Sequence, residues 1–246
     1  MIRTYAIGDI HGYIDELRRA HRLIAEDRAR TGDWDAPVVH LGDLVDRGPD
    51  AAGVIDLLSE GIAAGEPWVV LKGNHDRMFV GFMEDPMRRD PGLSERHTWL
   101  APALGGLDTL ASYGVGTEGR EVAQIQADAL HRVPEAHREF LKALPTSYRR
   151  GDLMFVHAGV RPDVPLDAQV EDDLVWIRSP FLEDTRNHGA LIVHGHTALD
   201  AATHHGNRVN IDTGAGYGRP ITAAVFEDRD AYILTDEGRV PLRPPY

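Results

Sequence analysis

Apolar positions along this chain follow two rhythms, one of period two and one of three to four. Residues 4–7 form a short β-like run that stops at Gly8-Asp9, after which Ile14, Leu17, Ala20 and Ile24 recur at helical spacing. Residues 37–41 repeat the theme, ending in Gly42-Asp43, and Pro49-Asp50 opens a helix that carries Val54, Leu57, Leu58 and Ile62. A third strand over 68–71 ends at Gly73-Asn74-His75, with residues 77–83 helical after it. Strands that alternate with helices predict an α/β core with a partly parallel sheet.

The rhythm changes between about 84 and 146. Pro and Gly interrupt helical pieces at 99–104, 107–113, 121–130 and 135–144, which we read as an inserted helical cap. Strands resume at 153–156 and 190–193. Further strands at 208–211, 221–226 and 231–234 stand close enough together to predict antiparallel hairpins at the C-terminal end. There is no internal repeat or linker composition, so residues 1–246 read as a single α/β (α+β) domain with an insertion and a loose tail over 243–246.

Composition narrows the chemistry. With no Cys, there is no disulfide, no thiolate nucleophile and no sulfur-ligated metal. A formal charge of −13 is the wrong sign for coating nucleic acid, although a metal cluster can still create one positive site on an acidic body. No apolar run is long enough to span a membrane. No apolar signal region precedes the Gly8-Asp9 segment, so a cytoplasmic protein is expected.

Five of the predicted strands end in polar residues beside Gly or Ala: Asp9/His11, Asp43/Asp46, Asn74/His75, His157 and His194/His196. Any one of them is an ordinary turn or a structural histidine. Together they are hard to produce as independent turns, and in open α/β sheets the carboxyl ends of strands are where ligands bind. A donor set of His, Asp and Asn suits Mn²⁺, Fe or Zn²⁺ better than Ca²⁺. Two such ions sharing a carboxylate would acidify a water and clamp the oxygens of a phosphoryl transfer.

The blocks Gly8-Asp9-Ile10-His11-Gly12, Gly42-Asp43-Leu44-Val45-Asp46-Arg47-Gly48, Gly73-Asn74-His75-Asp76, His157-Ala158-Gly159 and Gly195-His196-Thr197 resemble the signatures of calcineurin-like metallophosphoesterases. Within them they resemble the phosphoprotein phosphatase family, in its compact bacterial and phage serine/threonine branch. The resemblance implies a central β-sandwich flanked by helices and a site for two divalent metal ions, with Mn²⁺ the first choice. It implies that Asp9, His11 and Asp43 hold one ion and that Asp43, Asn74, His157 and His196 hold the other. His75 matches the general acid, Asp46 its orienting carboxylate, Arg47 a phosphate-binding arginine, and Arg178 a second one, with Arg161 as rival.

The activity so implied is hydrolysis of phosphate monoesters, of the serine/threonine phosphatase type, by direct attack of a metal-bridging hydroxide. The alternative is a symmetrical dinucleoside tetraphosphate hydrolase, whose relatives lack an acidic residue at the position of Asp46; a non-catalytic binding protein would be expected to have lost a ligand. Substrates are phosphoproteins, phosphate esters or nucleotides, with no membrane partner. Tyr217 is either a substrate-facing residue or part of a glycine-rich hairpin. His40 and His194 are expected to point away from the ligands, and His204-His205 to sit in a solvated turn.

Overall fold

The computed structural model describes residues 1–245. The first half is built as β1 (Arg3–Ile7), α1 (Ile14–Thr31), β2 (Val38–His40), α2 (Ala51–Ala63), β3 (Trp68–Val70) and α3 (Asn74–Glu84). Three helices follow: α4 (Gly106–Ser112), α5 (Val122–Arg132) and α6 (Glu135–Ala143). The second half contains β4 (Ser147–Arg150), β5 (Leu153–Val156), α7 (Glu171–Trp176), β6 (Leu191–His194), β7 (Thr203–His204), β8 (Arg208–Asn210), β9 (Ala223–Glu227), β10 (Asp230–Thr235) and β11 (Gly238–Leu242).

The strands form two mixed sheets. One has the order β11-β10-β9-β1-β2-β3, with β1, β2 and β3 parallel, and the other the order β4-β5-β6-β8-β7, with β5, β6 and β8 parallel. Ala6, Val39 and Leu41 of the first sheet meet Phe155, Val193, Val209 and Ile211 of the second in one buried cluster between them. Tyr5 and Ile7 face the other way, into a second cluster with α1 and α2, as the two-residue period of a strand requires. Met154, Val156 and Ile192 cover the outer face of the second sheet with Leu174 and Phe181. The fold is therefore a β-sandwich flanked by helices.

Several sequence expectations change. Residues 99–104 are turns rather than helix, because Pro102 lacks the amide hydrogen a helix needs and Gly105 takes a left-handed φ of 85°. The strand at 208–210 does not join the C-terminal hairpins of β9, β10 and β11; buried throughout, β8 lies in the second sheet, parallel to β6 and antiparallel to the short β7. Four short elements, β4, α7, β7 and β11, add to those the sequence predicts: β4 reads Ser-Tyr-Arg-Arg and β11 carries Pro241, sequences tolerated at sheet edges but without an apolar period. His204 lies in β7 and is buried, not solvated; its ring accepts the Gly206 amide at 3.0 Å. Helices α4 and α6 pack against α2 and α3, so the 106–143 segment extends the helical layer, while Leu93 and Leu104 of the irregular stretch before it reach the site described next.

Candidate active site

Parallel strands of both sheets end at one edge of the sandwich, and the polar residues that follow them converge there. Asp9 and His11 follow β1, Asp43 follows β2, Asn74 and His75 open α3, His157 follows β5 and His196 follows β6; all seven are buried. The turns that aim them are unusual. Among the described residues, seven non-glycine positions have positive φ, and five of them are His11, Asp43, Asp46, Arg47 and His196. Such backbone costs of order 1–3 kcal/mol per residue and persists where surrounding structure holds it, commonly at functional sites. Gly195 shows how tight the convergence is: a Cβ there would lie 2.0 Å from Asp9 Oδ1.

Backbone carbonyls set the histidine tautomers. His11 donates from Nδ1 to Val45 O at 3.0 Å, and His157 donates from Nδ1 to Leu41 O at 2.9 Å, which turns each Nε2 towards the cluster. His157 Nε2 lies 3.0 Å from Asn74 Oδ1, 3.2 Å from His196 Nδ1 and 3.3 Å from Asp43 Oδ1, while the other Asp43 oxygen stands 3.5 Å from His11 Nε2. Asp43 thus sits between two groups of donors. Within each of the sets His11, Asp43, His75 and Asp43, His157, His196, the potential ligand atoms lie within 4.8 Å of one another.

The electrostatics fit divalent cations. Burial drives the Asp9 carboxyl well above its ordinary range, and neighbouring Asp212 drives it further. Burial also opposes ionisation of Asp43, but His157 and then His75 outweigh it and hold this carboxyl well below its ordinary range. Burial pushes His11 down to about 3, whereas in His157 the carboxylate of Asp43 overcomes burial and raises the ring to about 9. Among the described residues, buried His196 Nε2 has no hydrogen-bond partner. The under-compensated Asp9 carboxyl and the unpaired His196 nitrogen, with Asp43 between them and the other rings, form a cradle for positive charge composed of the nitrogen and oxygen donors that transition metals take.

His75 differs from the other histidines. Its Nδ1 lies 2.6 Å from Asp46 Oδ2, and the Asp46 side chain is fully buried. Its Nε2 accepts from Arg47 Nη2 at 3.2 Å, and the same guanidinium donates from Nη1 to His11 Nε2 at 3.1 Å. Arg47, Arg178, Tyr217 and Arg219 line the cleft of about 310 Å³ above the cluster. Tyr217 is 68% exposed and presents its ring 5.3 Å from the Arg47 guanidinium. Arg161 is elsewhere, paired through Nε with Asp173 at 2.7 Å. His40 and His194 face away, His40 towards His21 at 2.8 Å and His194 towards Phe181.

Residues 2–228 match the family of calcineurin-like phosphoesterases. The chain belongs to that family. As a metallophosphoesterase it is 25% identical to an asymmetrical bis(5'-nucleosyl)-tetraphosphatase PrpE of Anoxybacillus flavithermus, over 98% of this chain and 94% of the relative. It is 23% identical to a symmetrical bis(5'-nucleosyl)-tetraphosphatase of Nitrosospira multiformis, over 93% and 94%. Among solved structures, a cold-active protein-tyrosine phosphatase of a Shewanella species superposes with a TM-score of 0.65 at 16% identity, covering 99% of this chain and 81% of that one. These metallophosphoesterase relatives share a fold while their names differ in substrate.

Two cleft residues escaped the sequence reading. Asp212, buried, follows β8 and accepts the Gly214 amide at 2.8 Å, so it is a sixth polar strand end on the same edge. The signal was present in Asp212-Thr213-Gly214 after an apolar run, but the hairpin expected there hid it. Arg219 follows a glycine-rich turn and has no motif to mark it; its guanidinium rests on Gly214 and pairs with Asp200 at 2.8 Å.

Proposed function

We propose that this chain hydrolyses phosphate monoesters with basic leaving groups, of the phosphoserine and phosphothreonine kind, in a site loaded with two divalent ions, Mn²⁺ first among them. Asp9, His11 and Asp43 would hold one ion and Asp43, Asn74, His157 and His196 the other. The ions supply Lewis-acid charge for the phosphoryl group and lower the pKa of the attacking water. Arg47 and Arg178 grip the phosphoryl oxygens through guanidinium forks suited to that geometry. With the Arg47 guanidinium turned from His75 to the phosphoryl oxygens, protonated His75 Nε2 would pass its proton to the departing oxygen as the new P–O bond forms and the ester P–O bond breaks, while Asp46 holds the ring through Nδ1.

The observation that carries this reading is the buried 2.6 Å contact between His75 Nδ1 and Asp46 Oδ2. An alkoxide needs a proton in order to leave, and a carboxylate on the far ring nitrogen fixes the orientation of the imidazole that would supply it. A second reading, hydrolysis of dinucleoside tetraphosphates, is supported by the names of the full-length relatives and by Arg219 and exposed Tyr217, which extend the cleft beyond one phosphate.

One panel separates the two. Activity should vanish on exhaustive chelation and return best with Mn²⁺. Asp46→Asn should depress turnover of phosphoserine peptides at least ~10-fold more than that of p-nitrophenyl phosphate, whose leaving group needs little protonation. Equal losses would remove the general-acid argument. Wild-type kcat/KM on diadenosine tetraphosphate ~100-fold or more above every phosphopeptide, about 2.7 kcal/mol in transition-state binding, would establish the second reading instead.

A further inference from the structure

His75 is one of three groups that hold the Asp46 carboxylate. Asp46 Oδ2 also accepts the indole N–H of Trp99 at 2.9 Å, and Oδ1 accepts the Thr109 hydroxyl at 2.7 Å. The Thr109 oxygen lies 2.8 Å from the Asp46 backbone N–H and accepts from it, so one side chain braces both ends of this residue. Trp99 and Thr109 stand 53 and 63 positions downstream of Asp46, outside every motif block. Both are buried, and Trp99 is itself fixed, its ring 5.2 Å from Phe79 and 4.8 Å from Phe82. Gly105, between them, presses on the Asp46-Arg47 turn: its carbonyl accepts the Arg47 amide at 3.3 Å, and a Cβ there would lie 2.2 Å from that nitrogen.

From this we infer that Trp99 and Thr109 are positioning residues for proton transfer to the leaving group, acting through Asp46 on His75. The physical need is specific. The terminal torsion of an aspartate is soft and roughly two-fold, so a carboxylate tethered only by His75 could rotate and take the ring with it. One donor on each oxygen removes that freedom. Burial makes both donors count, since each satisfies a lone pair that no water reaches. The 99–109 segment thereby becomes part of the catalytic apparatus without touching the substrate. The inference rests on the general-acid reading of His75 and extends it to residues no motif contains.

The test uses the full-length, Mn²⁺-loaded protein and a leaving-group series that runs from p-nitrophenyl phosphate through phenyl phosphate to a phosphoserine peptide. Thr109→Val removes the hydroxyl at constant shape, Thr109→Ser keeps it, and Trp99→Phe removes the indole N–H while leaving a ring between Phe79 and Phe82. Thr109→Val and Trp99→Phe should each cut kcat on the phosphoserine peptide on the order of 10-fold, part of the 10²–10⁴ a general acid contributes, against less than ~3-fold on p-nitrophenyl phosphate. Thr109→Ser should recover most of the loss. Adding Thr109→Val to Asp46→Asn should cost nothing further, because the path is already cut.

A merely structural brace would lower turnover of all substrates alike, or add its loss to that of Asp46→Asn; either result overturns the inference. Asp46→Asn alone tells its failure from failure of the parent reading. If Asp46→Asn discriminates between leaving groups and neither Thr109→Val nor Trp99→Phe does, the brace fails and the general acid stands. If Asp46→Asn does not discriminate, both fall.

Discussion

Asp43 stands between the two groups of donors proposed to hold metal, and in that reading its charge is shared by both ions. Asp43→Asn should lose bound metal and activity together, as elemental analysis and p-nitrophenyl phosphate turnover would show; full occupancy by two ions in the variant would mean that no bridging charge is needed. The two arginines that the motifs left as rivals also separate at this scale. Arg178 lines the cleft, whereas Arg161 is engaged by Asp173 away from it. Losing a charged hydrogen bond to phosphate costs roughly 1.5–3 kcal/mol, so Arg178→Ala should lower kcat/KM about 10- to 100-fold, and Arg161→Ala should change it little. The reverse ranking would move the phosphate grip to Arg161. What was legible from sequence at this scale is whatever sits beside glycine at a strand end. Trp99 and Thr109 were not, because an indole on a helix-like apolar pattern reads as core and its bond to Asp46 spans 53 positions.

Elements were legible where burial imposed a period. The strands β1, β2, β5 and β6 bury every residue, and α1 and α2 show clean apolar faces. Short edge strands and the six-residue α7 bury too little to leave such a mark. A sequence period also says nothing of which sheet a strand joins, hence the misplacement of β8. The contact of α1 with β2 and β3 carries its own prediction. His21 of α1 meets His40 of β2 at 2.8 Å and stacks on Trp68 of β3, ring centroids 4.5 Å apart. Burial lowers His21 to about 4, and pushes His40 well below its ordinary value. The unfolded imidazole of His21 takes its proton near pH 6.5 and the folded one only near 4. Between those values the unfolded state binds more protons, so this contribution, ~3 kcal/mol at most, is present above pH 6.5 and lost as pH falls towards 4. In denaturant titrations His21→Gln should reduce proton uptake on unfolding near pH 5 by about one. An unchanged slope would place the acid sensitivity elsewhere.

At the scale of the whole molecule, the site is a seam between the sheets. Asp9, His11, Asp43 and Asn74 extend from the β1-β2-β3 side and His157 and His196 from the β5-β6 side, so cations held there would tie together two layers otherwise joined by apolar packing. Metal that binds only the folded chain should therefore raise its melting temperature. At ~100 times Kd a single site adds about 2.7 kcal/mol, which for a chain of this size is a shift of about 5–10 °C. The shift also decides what His75 does, with no reference to turnover. Its ring lies within ligand reach of His11 and Asp43, yet its Nδ1 is committed to Asp46 and its Nε2 faces Arg47. If His75 is the acid rather than a ligand, His75→Asn should keep the full Mn²⁺-dependent rise in melting temperature while losing activity, and Asp43→Asn should lose both. A rise that collapses in His75→Asn as completely as in Asp43→Asn would make His75 a ligand and leave the leaving group without a proton donor.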